Sequence, residues 1–300
     1  MALIPHPLGA RDPALSRVLP DGRLWLRHGP IEIFIRAEGP PCEVNAAHHQ
    51  AVTRFASVLS EVAADLPHLR VPVGAPPGLR GIPARMWDAA AGFPGVFVTP
   101  MAAVAGAVAE AVLAAMLAGR NLDRVLVNNG GDIALHLTTD KVARLALVVD
   151  PASGASPGRL IVDAASGARG VATSGAGGRS QSLGIADAVT VLAATAAQAD
   201  VAATLIANAV DLPGHPAIAR VPACDLVPGS DLGARLVTVA VGRLAAAEVD
   251  RALAAGAACA RAMIGAGQIC GAALALQGIL RLEGAVPFAA HEEGATWQRS

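Results

Sequence analysis

Two glycine-containing segments place oxygen-bearing side chains where a phosphate group or a divalent cation could bind. In the first, a strand-like run breaks at Gly130 and Gly131, which lie between Asn129 and Asp132. Consecutive glycines let a ligand approach the backbone closely and leave N–H groups exposed. These four residues are therefore candidates for binding a cofactor. They also suit an ordinary Gly-Gly hairpin turn with no ligand, and the sequence leaves both interpretations open.

The second segment is a loop of small residues that runs from Thr173 to Ser180. It contains Ser174, Gly175 and Arg179. Hydroxyl groups, the N–H groups of a flexible backbone and a guanidinium can all donate hydrogen bonds to phosphate oxygens. The sequence therefore predicts that Thr173, Ser174, Gly175, Arg179 and Ser180 bind an anionic, phosphorylated ligand.

A candidate cation site follows on the next helical segment. Asp200, Thr204 and Asn208 recur every four residues, so their side chains share one stripe of a helix. Carboxylate, hydroxyl and amide oxygens suit a hard cation such as Mg2+. Asp200 and Thr204 are the candidate metal ligands. The alternative is a capped, partly solvated helix face that binds no metal.

The composition excludes several other classes of protein. The 300 residues are 53% hydrophobic and 16% charged, with a net charge of -1. Such a chain is not disordered and has no basic excess for nucleic-acid binding as its main task. Lys141 is the only lysine, which excludes a Walker-type phosphate loop. Tyrosine is absent and 3% of the residues are aromatic, so surfaces for ring stacking are scarce.

The sequence also favours a cytoplasmic protein. Its start shows no signal-peptide pattern, and the four cysteines form no regular framework. The segment Pro100–Gly119 is apolar enough to imitate a membrane span, but it is mostly alanine and carries Glu110 near its centre. An acidic group in the middle of a bilayer is costly, so we expect a buried helix and no membrane partner. The sequence leaves the oligomeric state open, and a homo-oligomer is possible.

Hydrophobic periodicity predicts the elements that must position these residues. A β-hairpin is expected over Leu24–Arg36, and a run of short strands begins at Arg124. Helices are expected over Glu43–Asp65, Met101–Leu117, Ala197–Val210 and Leu244–Ile264. The resulting class is α+β, with mixed or antiparallel sheets and flanking helices. We expect one domain over residues 1–285, with a loop or linker over 66–94 and a polar tail over 286–300.

Taken in order, these segments resemble the ApbE family of flavin transferases. That family shows an N-x-GGD-I turn, a TSG-x-Tyr-x-Arg loop, an S-V-T-V strand and an A-D-x-x-x-T helix. This chain has Asn128-Asn129-Gly130-Gly131-Asp132, then Thr173-Ser174-Gly175 with Arg179 at the family spacing, Ala188-Val189-Thr190-Val191, and Ala199-Asp200 with Thr204. Asp150-Pro151 also matches an acidic-Pro turn of the family. The order of several short elements is more specific than any one of them.

The resemblance implies a layered ApbE-like fold and a function connected with flavin nucleotides. ApbE-like enzymes use Mg2+ and FAD and transfer FMN to a protein threonine. By resemblance, Asp200 and Thr204 would hold the magnesium. Gly130, Gly131, Ser174 and Arg179 would contact the phosphates or the ring of FAD or FMN.

This chain also departs from the family pattern. Gly177 stands where the family has its tyrosine, and Ala103–Val108 lacks the family's lysine and tyrosine. The family's His-Ile-Asp-Pro-x-Thr-Gly loop has no counterpart between Arg179 and Ala188. Asp187 is a candidate replacement for the missing acid/base group, although the sequence favours a carboxylate that simply caps a turn. The sequence therefore leaves three functions open. The first is an ApbE-related enzyme that transfers flavin from FAD or catalyses a different Mg-assisted reaction, the second is a binding protein that has lost the transfer, and the third is an oligomeric structural protein whose glycines only form tight turns.

Overall fold

An antiparallel sheet of nine strands organises the fold in the computed structural model, which describes residues 13–75, 78–150, 153–178 and 180–290. Its strands, in chain order, are β1 (Leu15–Val18), β2 (Leu24–His28), β3 (Ile31–Glu38), β4 (Arg124–Asn129), β5 (Asp132–Leu137), β8 (Gly170–Ser174), β9 (Ala188–Ala193), β12 (Gly271–Leu276) and β13 (Ile279–Gly284). In space they lie in the same order, because each strand pairs with its neighbours in this series.

Two smaller sheets complete the strands of the described residues. One contains β6 (Val142–Leu147), β7 (Gly158–Asp163) and β14 (Phe288–Ala290), and the other pairs β10 (Ile218–Pro222) with β11 (Leu236–Val241). The three-stranded sheet packs on one face of the large sheet. Leu147 of β6 and Leu160 of β7 are buried there with Leu135 of β5 and Leu192 of β9.

Helices lie against the other face of the large sheet. The described helices are α1 (Pro41–Phe55), α2 (Val58–Ala64), α3 (Leu66–Leu69), α4 (Gly81–Ala91), α5 (Val104–Leu117), α6 (Ala196–Ala209), α7 (Ala223–Leu226) and α8 (Ala246–Gly265). Of these, α7 packs on β10 of the small sheet, and α2, α3 and α4 pack on other helices. A 3-10 turn over Pro100–Ala103 leads into α5. Helix α5 packs on β4 and β5, α6 packs on β8 and β9, and α1 and α8 pack on β3 and β12 respectively.

Two glycines allow α6 to pack unusually close to its neighbours. A Cβ atom at Gly106 of α5 would lie 2.3 Å from the Ala196 carbonyl oxygen, and one at Gly170 of β8 would lie 2.2 Å from the Ala196 nitrogen. No real Cβ occupies such a space without backbone movement. The start of α6 is therefore held directly between α5 and β8, which fixes the position of Asp200 one turn further along.

The predicted α+β class is confirmed, with antiparallel sheets and flanking helices. The expected loop over 66–94 is wrong for two parts, because Leu66–Leu69 forms α3 and Gly81–Ala91 forms α4, which buries Ile82 and Met86. The expected tail over 286–300 is wrong for Phe288–Ala290, which pairs with β7 as β14. Residues 291–300 lie outside the described residues.

The apolar segment singled out in the sequence lies at the centre of the helical layer. Pro100–Leu117 is long and apolar enough to cross a membrane by length and composition, and more than half of it is buried within the fold. Glu110 lies within it and accepts a hydrogen bond from the Ala197 N–H at 2.8 Å, while its other oxygen pairs with Arg85 at 2.6 Å. The acidic residue therefore joins α5 to the start of α6 and to α4.

Candidate functional site

The turn between β4 and β5 is a hairpin closed by Gly130 and Gly131. Asn129 pairs in register with Asp132, and both glycines have positive φ angles, +69° and +116°. The Gly131 N–H donates to the Asn128 Oδ1 at 2.9 Å. A Cβ at Gly131 would meet nothing within 4 Å, so the space beside this turn is open. The hairpin interpretation is therefore correct for the backbone, and the tip remains accessible to a ligand.

The two polar residues that flank the glycines are almost fully buried. Asn129 is 8% exposed and Asp132 is 9% exposed. The Asn129 Nδ2 donates to the Ala105 carbonyl at 3.1 Å, and the Asp132 Oδ1 accepts from the Thr173 N–H at 3.1 Å. The turn is thus tied both to the start of α5 and to β8. Segments that are far apart in sequence therefore meet at this point.

Asp200 approaches the same place from α6. Its Oδ2 accepts a hydrogen bond from the Gly106 N–H at 3.0 Å, and the Ala105 N–H also hydrogen-bonds its carboxylate. Neighbouring atoms enclose this carboxylate, yet the residue keeps some accessible surface. Helix α5 has no side-chain cap of its own, because the residue before Val104 is Ala103. Asp200 therefore caps α5 from a neighbouring helix, where the positive end of the helix dipole favours a negative group.

Two carboxylates interact at this point. Burial raises the pKa of Asp200 well above its ordinary value, and the negative charge of Asp132 raises it further. The hydrogen bonds from the Gly106 and Ala105 N–H groups act in the opposite direction without reversing the shift. A cation placed between these carboxylates would lower the electrostatic cost of ionising Asp200, since a nearby positive charge favours the ionised form.

The Thr173–Ser180 loop leaves the sheet beside this pair. Gly175 lies against the backbone of Asp187, where a Cβ would be 2.6 Å from the carbonyl oxygen, and its φ of +155° suits glycine. The Ala176 N–H donates to the Ala186 carbonyl at 2.8 Å, which closes the loop at its base. Ser174 is partly buried and Ser180 is exposed. Arg179 lies outside the described residues.

The hydroxyl of Thr173 is turned toward a neighbouring strand. Its Oγ1 lies 2.9 Å from the Thr190 Oγ1, and Thr190 is 4% exposed. Within the described residues, Thr173 therefore contributes its backbone N–H to Asp132 and its hydroxyl to the interior of the sheet. We conclude that Thr173 shapes the site through its backbone.

The polar residues along one side of α6, Asp200, Thr204 and Asn208, have two different roles. Asn208 accepts hydrogen bonds from the Leu183 N–H at 2.9 Å and from the Ser182 hydroxyl at 3.5 Å, so it holds the loop before β9 in place. Thr204 is partly buried and lies one turn after Asp200 on the same side of the helix. Of the three residues in the candidate cation site, Asp200 and Thr204 therefore remain as candidate metal ligands.

Asp187 takes part in a turn. Its Oδ2 accepts a hydrogen bond at 2.5 Å from the N–H of Gln277, which lies between β12 and β13 and has a positive φ of +45°. Its own N–H donates to the Ala275 carbonyl at 2.9 Å. A carboxylate stabilises a strained turn of this kind. This arrangement supports the turn-capping interpretation that the sequence favoured for Asp187.

The backbone N–H groups of Ala105 and Gly106 are part of the site that the sequence analysis missed. The sequence carried no signal of this, because Thr99 and Pro100 form an ordinary helix start, whereas in the structure a 3-10 turn intervenes and the residue before α5 is Ala103. A helix start without a cap requires an acceptor from another segment. Nothing in the local sequence identifies Asp200 as that acceptor.

The donor set fits a magnesium ion. Among the described residues no group of three His, Cys, Asp or Glu side chains could hold a metal by itself. Magnesium does not require such a group, because it is usually bound by one or two carboxylates together with water and substrate phosphates. Asp132, Asp200 and the Thr204 hydroxyl supply oxygens of this kind, and the open Gly130–Gly131 tip leaves space for phosphates.

These features define an α+β protein in which two interacting carboxylates, Asp132 and Asp200, lie beside a glycine turn. The chain belongs to the family described as "AbpE bacteria", whose model matches residues 16–282. This result confirms the resemblance to ApbE proteins that the motifs indicated.

Several archaeal proteins are similar to this chain. A UPF0280 protein of Methanocaldococcus jannaschii is 42% identical over 113 residues, which cover 37% of this chain and 45% of that protein. A UPF0280 protein of Methanopyrus kandleri is 38% identical over 182 residues, covering 59% and 69% respectively. The match thus spans less than half of the Methanocaldococcus protein.

Solved flavin transferases are more distant. The Pseudomonas stutzeri flavinyl transferase ApbE in its apo form is 14% identical, with a TM-score of 0.36 over 67% of this chain and 85% of that chain. The flavin transferase ApbE from Vibrio cholerae is 13% identical, with a TM-score of 0.36 over 90% and 96%.

Proposed function

We propose that this protein binds FAD or FMN together with Mg2+ at the junction of the β4–β5 turn, the Thr173–Ser180 loop and α6. The observation that carries the proposal is the meeting of Asp132 and Asp200 in a buried place where the pKa of Asp200 is raised. Strongly perturbed carboxylates beside an accessible turn are typical of functional sites. Family membership supports a nucleotide as the ligand, since the names of the solved neighbours describe flavin transferases.

Each part of the site has a separate task in this proposal. Asp200 and Thr204, with Asp132 beside them, would hold the cation. The cation would neutralise phosphate charge and make the pyrophosphate of FAD easier to cleave. The Gly130 N–H would contact phosphate oxygens, while the Gly131 N–H holds the turn by donating to Asn128 and the absence of a side chain at Gly131 leaves the approach clear. Ser174, Ser180 and Arg179 would contact the phosphates or the ring from the loop.

If the protein is a transferase, the reaction joins FMN to a hydroxyl of an acceptor. A new P–O bond would form between the FMN phosphorus and the acceptor oxygen, the P–O bond to AMP would break, and AMP would leave. The hydroxyl proton must pass to a base. Asp187 is the candidate that the sequence offers, although its Oδ2 is held by the Gln277 N–H.

Binding without transfer is the second candidate function, and two observations favour it. Asp187 is engaged in a turn, and Gly177 stands where the related enzymes have a tyrosine. Loss of a general acid or base typically reduces a rate by about 10²–10⁴. In this case the protein would bind its nucleotide and later release it chemically unchanged.

One experiment separates the two functions. The purified protein is incubated with FAD and Mg2+, and AMP release and protein-bound flavin are measured, with Asp200→Ala as the test variant and Asp250→Asn as the control. Asp250 lies on α8, is exposed, and pairs with Arg281 of β13 at 2.7 Å. AMP release that depends on Asp200 supports transfer, and bound flavin without AMP supports binding alone. Flavin uptake that is absent from the wild type, or equal in the wild type and Asp200→Ala, contradicts the proposed site.

A further inference from the structure

Glu110 links the two helices that meet at the candidate site. Its Oε1 accepts the N–H of Ala197, the second residue of α6, at 2.8 Å. Its Oε2 pairs with the Arg85 guanidinium of α4 at 2.6 Å. The Glu110 side chain is 11% exposed, and an acidic group so deep in an apolar helix is tolerated where its hydrogen bonds and ion pair offset the cost of burial.

The contact between α5 and α6 is reciprocal. Asp200 of α6 accepts the Gly106 N–H, in the first turn of α5, at 3.0 Å. Glu110 of α5 in turn accepts the Ala197 N–H, in the first turn of α6. Gly106 and Glu110 are four residues apart on one side of α5, and the two partners on α6 are three residues apart. We call these two hydrogen bonds the reciprocal caps.

The start of α6 depends on Glu110 for one of its backbone hydrogen bonds. Ala197 is 1% exposed, and a Cβ at Gly106 would lie 2.7 Å from the Ala197 nitrogen. The N-cap residue Thr195 serves a different donor, the Gln198 N–H, at 3.1 Å. A buried N–H that loses its acceptor is costly and regains a partner through movement of the backbone. The Glu110 carboxylate therefore fixes the place where α6 begins.

The position of Asp200 follows from the start of α6. Asp200 lies one turn after Ala197, whereas the second carboxylate, Asp132, belongs to β5 and is tied to β8 through the Thr173 N–H. The separation of the two carboxylates is therefore set by the placement of α6 against the sheet. Mg2+ requires near-ideal octahedral geometry with oxygens at about 2.0–2.1 Å. A small displacement of α6 would thus weaken a magnesium site at this point.

We propose that Glu110 is a positioning residue of the candidate cation site, because it holds α6 where Asp200 can bind Mg2+ together with Asp132. The inference rests on the proposed function, since it assigns a role at the same site. Burial and then the charge of Asp132 raise the pKa of Asp200, and among the described residues Glu110 is not a source of that shift. A substitution at Glu110 therefore acts on Asp200 through the contact between α5 and α6.

The test measures the affinity for Mg2+ by calorimetry in the wild type, Glu110→Ala and Glu110→Gln. Glutamine retains an oxygen that can accept the Ala197 N–H, whereas alanine removes it. Glu43→Ala is the matched control, because Glu43 accepts the Asn121 N–H at 3.1 Å and pairs with Arg120 at 3.5 Å. This control contact lies beyond the C-terminal end of α5, about 20 Å from the start of the helix.

We expect Glu110→Ala to bind Mg2+ about 10- to 100-fold more weakly than the wild type, the loss typical of a residue that orients a metal ligand without touching the metal. Glu110→Gln should recover most of the wild-type affinity, and Glu43→Ala should lose stability without losing affinity. Wild-type affinity in Glu110→Ala, an equal loss in Glu43→Ala, or a failure of Glu110→Gln to recover the affinity overturns the positioning role.

The reciprocal caps are also tested without a cation. Denaturant unfolding at mildly acidic pH compares Glu110→Ala, Asp200→Asn and the double variant. We expect the double variant to lose less stability than the sum of the two single losses, because each cap depends on the other. Losses that simply add contradict the link between Glu110 and Asp200.

The proposed function and the positioning role fail in different ways. Wild-type protein that binds Mg2+ with the same affinity as Glu110→Ala contradicts the role of Glu110 and leaves the cation site intact. Wild-type protein that binds no Mg2+ contradicts the cation site and, with it, any role of Glu110 in binding. Coupled losses of stability in such a protein would show that the reciprocal caps serve the fold alone.

Discussion

The pH dependence of folding stability is the sharpest test of the interaction between Asp132 and Asp200. Folding raises the pKa of Asp200 above its usual value of 3.8, because the carboxylate is buried beside Asp132. Between the unfolded and the folded pKa, the folded protein therefore holds more protons than the unfolded chain. The contribution of Asp200 to stability is fully present below the unfolded pKa and is lost as the pH rises through the folded pKa.

The variant Asp200→Asn removes this titration. Each unit by which folding raises a pKa corresponds to about 1.4 kcal/mol of stability lost on moving to neutral pH. The amide oxygen can replace only part of the carboxylate's bonding to the Gly106 and Ala105 N–H groups, and a lost hydrogen bond costs about 1–3 kcal/mol. We therefore expect Asp200→Asn to be less stable than the wild type in acid and to lose less stability as the pH rises.

The assay is denaturant unfolding over a pH series from about 4.5 to 8, at constant ionic strength and without divalent cations. Asp250→Asn is the matched control, because Asp250 is exposed and its removal should give a curve parallel to the wild type. The series is then repeated with Mg2+. A cation at 100 times its dissociation constant adds about 2.7 kcal/mol to the folded state. We expect this gain in the wild type and its loss in Asp200→Asn.

Two results would refute the reasoning. Parallel pH curves for the wild type and Asp200→Asn would show that burial beside Asp132 does not perturb this carboxylate. Equal stabilisation of both proteins by Mg2+ would show that the cation binds elsewhere, and Thr204 would then lose its role as a ligand as well.

Two further predictions concern the framework of the site. Gly106→Ala should lower the free energy of unfolding by about 1–3 kcal/mol, because its Cβ would lie 2.3 Å from the Ala196 carbonyl. Gly265→Ala, which has open space beside it, should change it by less than about 0.5 kcal/mol, and equal effects would contradict the close packing. Asp187→Ala should lower the thermal midpoint, since the Gln277 N–H loses its acceptor; an unchanged midpoint with lost AMP release would instead favour a catalytic Asp187.

The elements with strong local periodicity could be predicted from the sequence, and α4 could not. The hairpin over Leu24–Arg36 and the helix over Met101–Leu117 each show a regular apolar pattern within one short segment. In α4, Gly81 and Pro83 suggested a loop. Proline is tolerated in the first turn of a helix, where its missing N–H would have no partner within the helix. Strand β14 depends on a distant partner, β7, which no local pattern specifies.

Those parts of the candidate site that lie in recognisable motifs could be predicted from the sequence. The turn at Gly130–Gly131 and the helix with Asp200 were found because their residue types and spacing are distinctive. The proximity of Asp132 and Asp200 was not predicted, because the sequence analysis assigned Asp132 to the cofactor and Asp200 with Thr204 to the metal. Their meeting depends on the close packing of α6 between α5 and β8, which Gly106 and Gly170 permit.

The capping of α5 and the binding of a cation make different demands on Asp200. A carboxylate that only caps a helix is stabilised by its hydrogen bonds, so its pKa should fall. Here the pKa rises despite the Gly106 and Ala105 N–H groups, first because the Asp200 carboxylate is itself buried and second because the negative charge of Asp132 lies near it. Within the described part of the chain, the groups that shift the pKa of Asp200 include no basic side chain. Asp132 also joins the β4–β5 turn to β8 by accepting the Thr173 N–H, and in the proposed cation site it would supply the second carboxylate ligand beside Asp200.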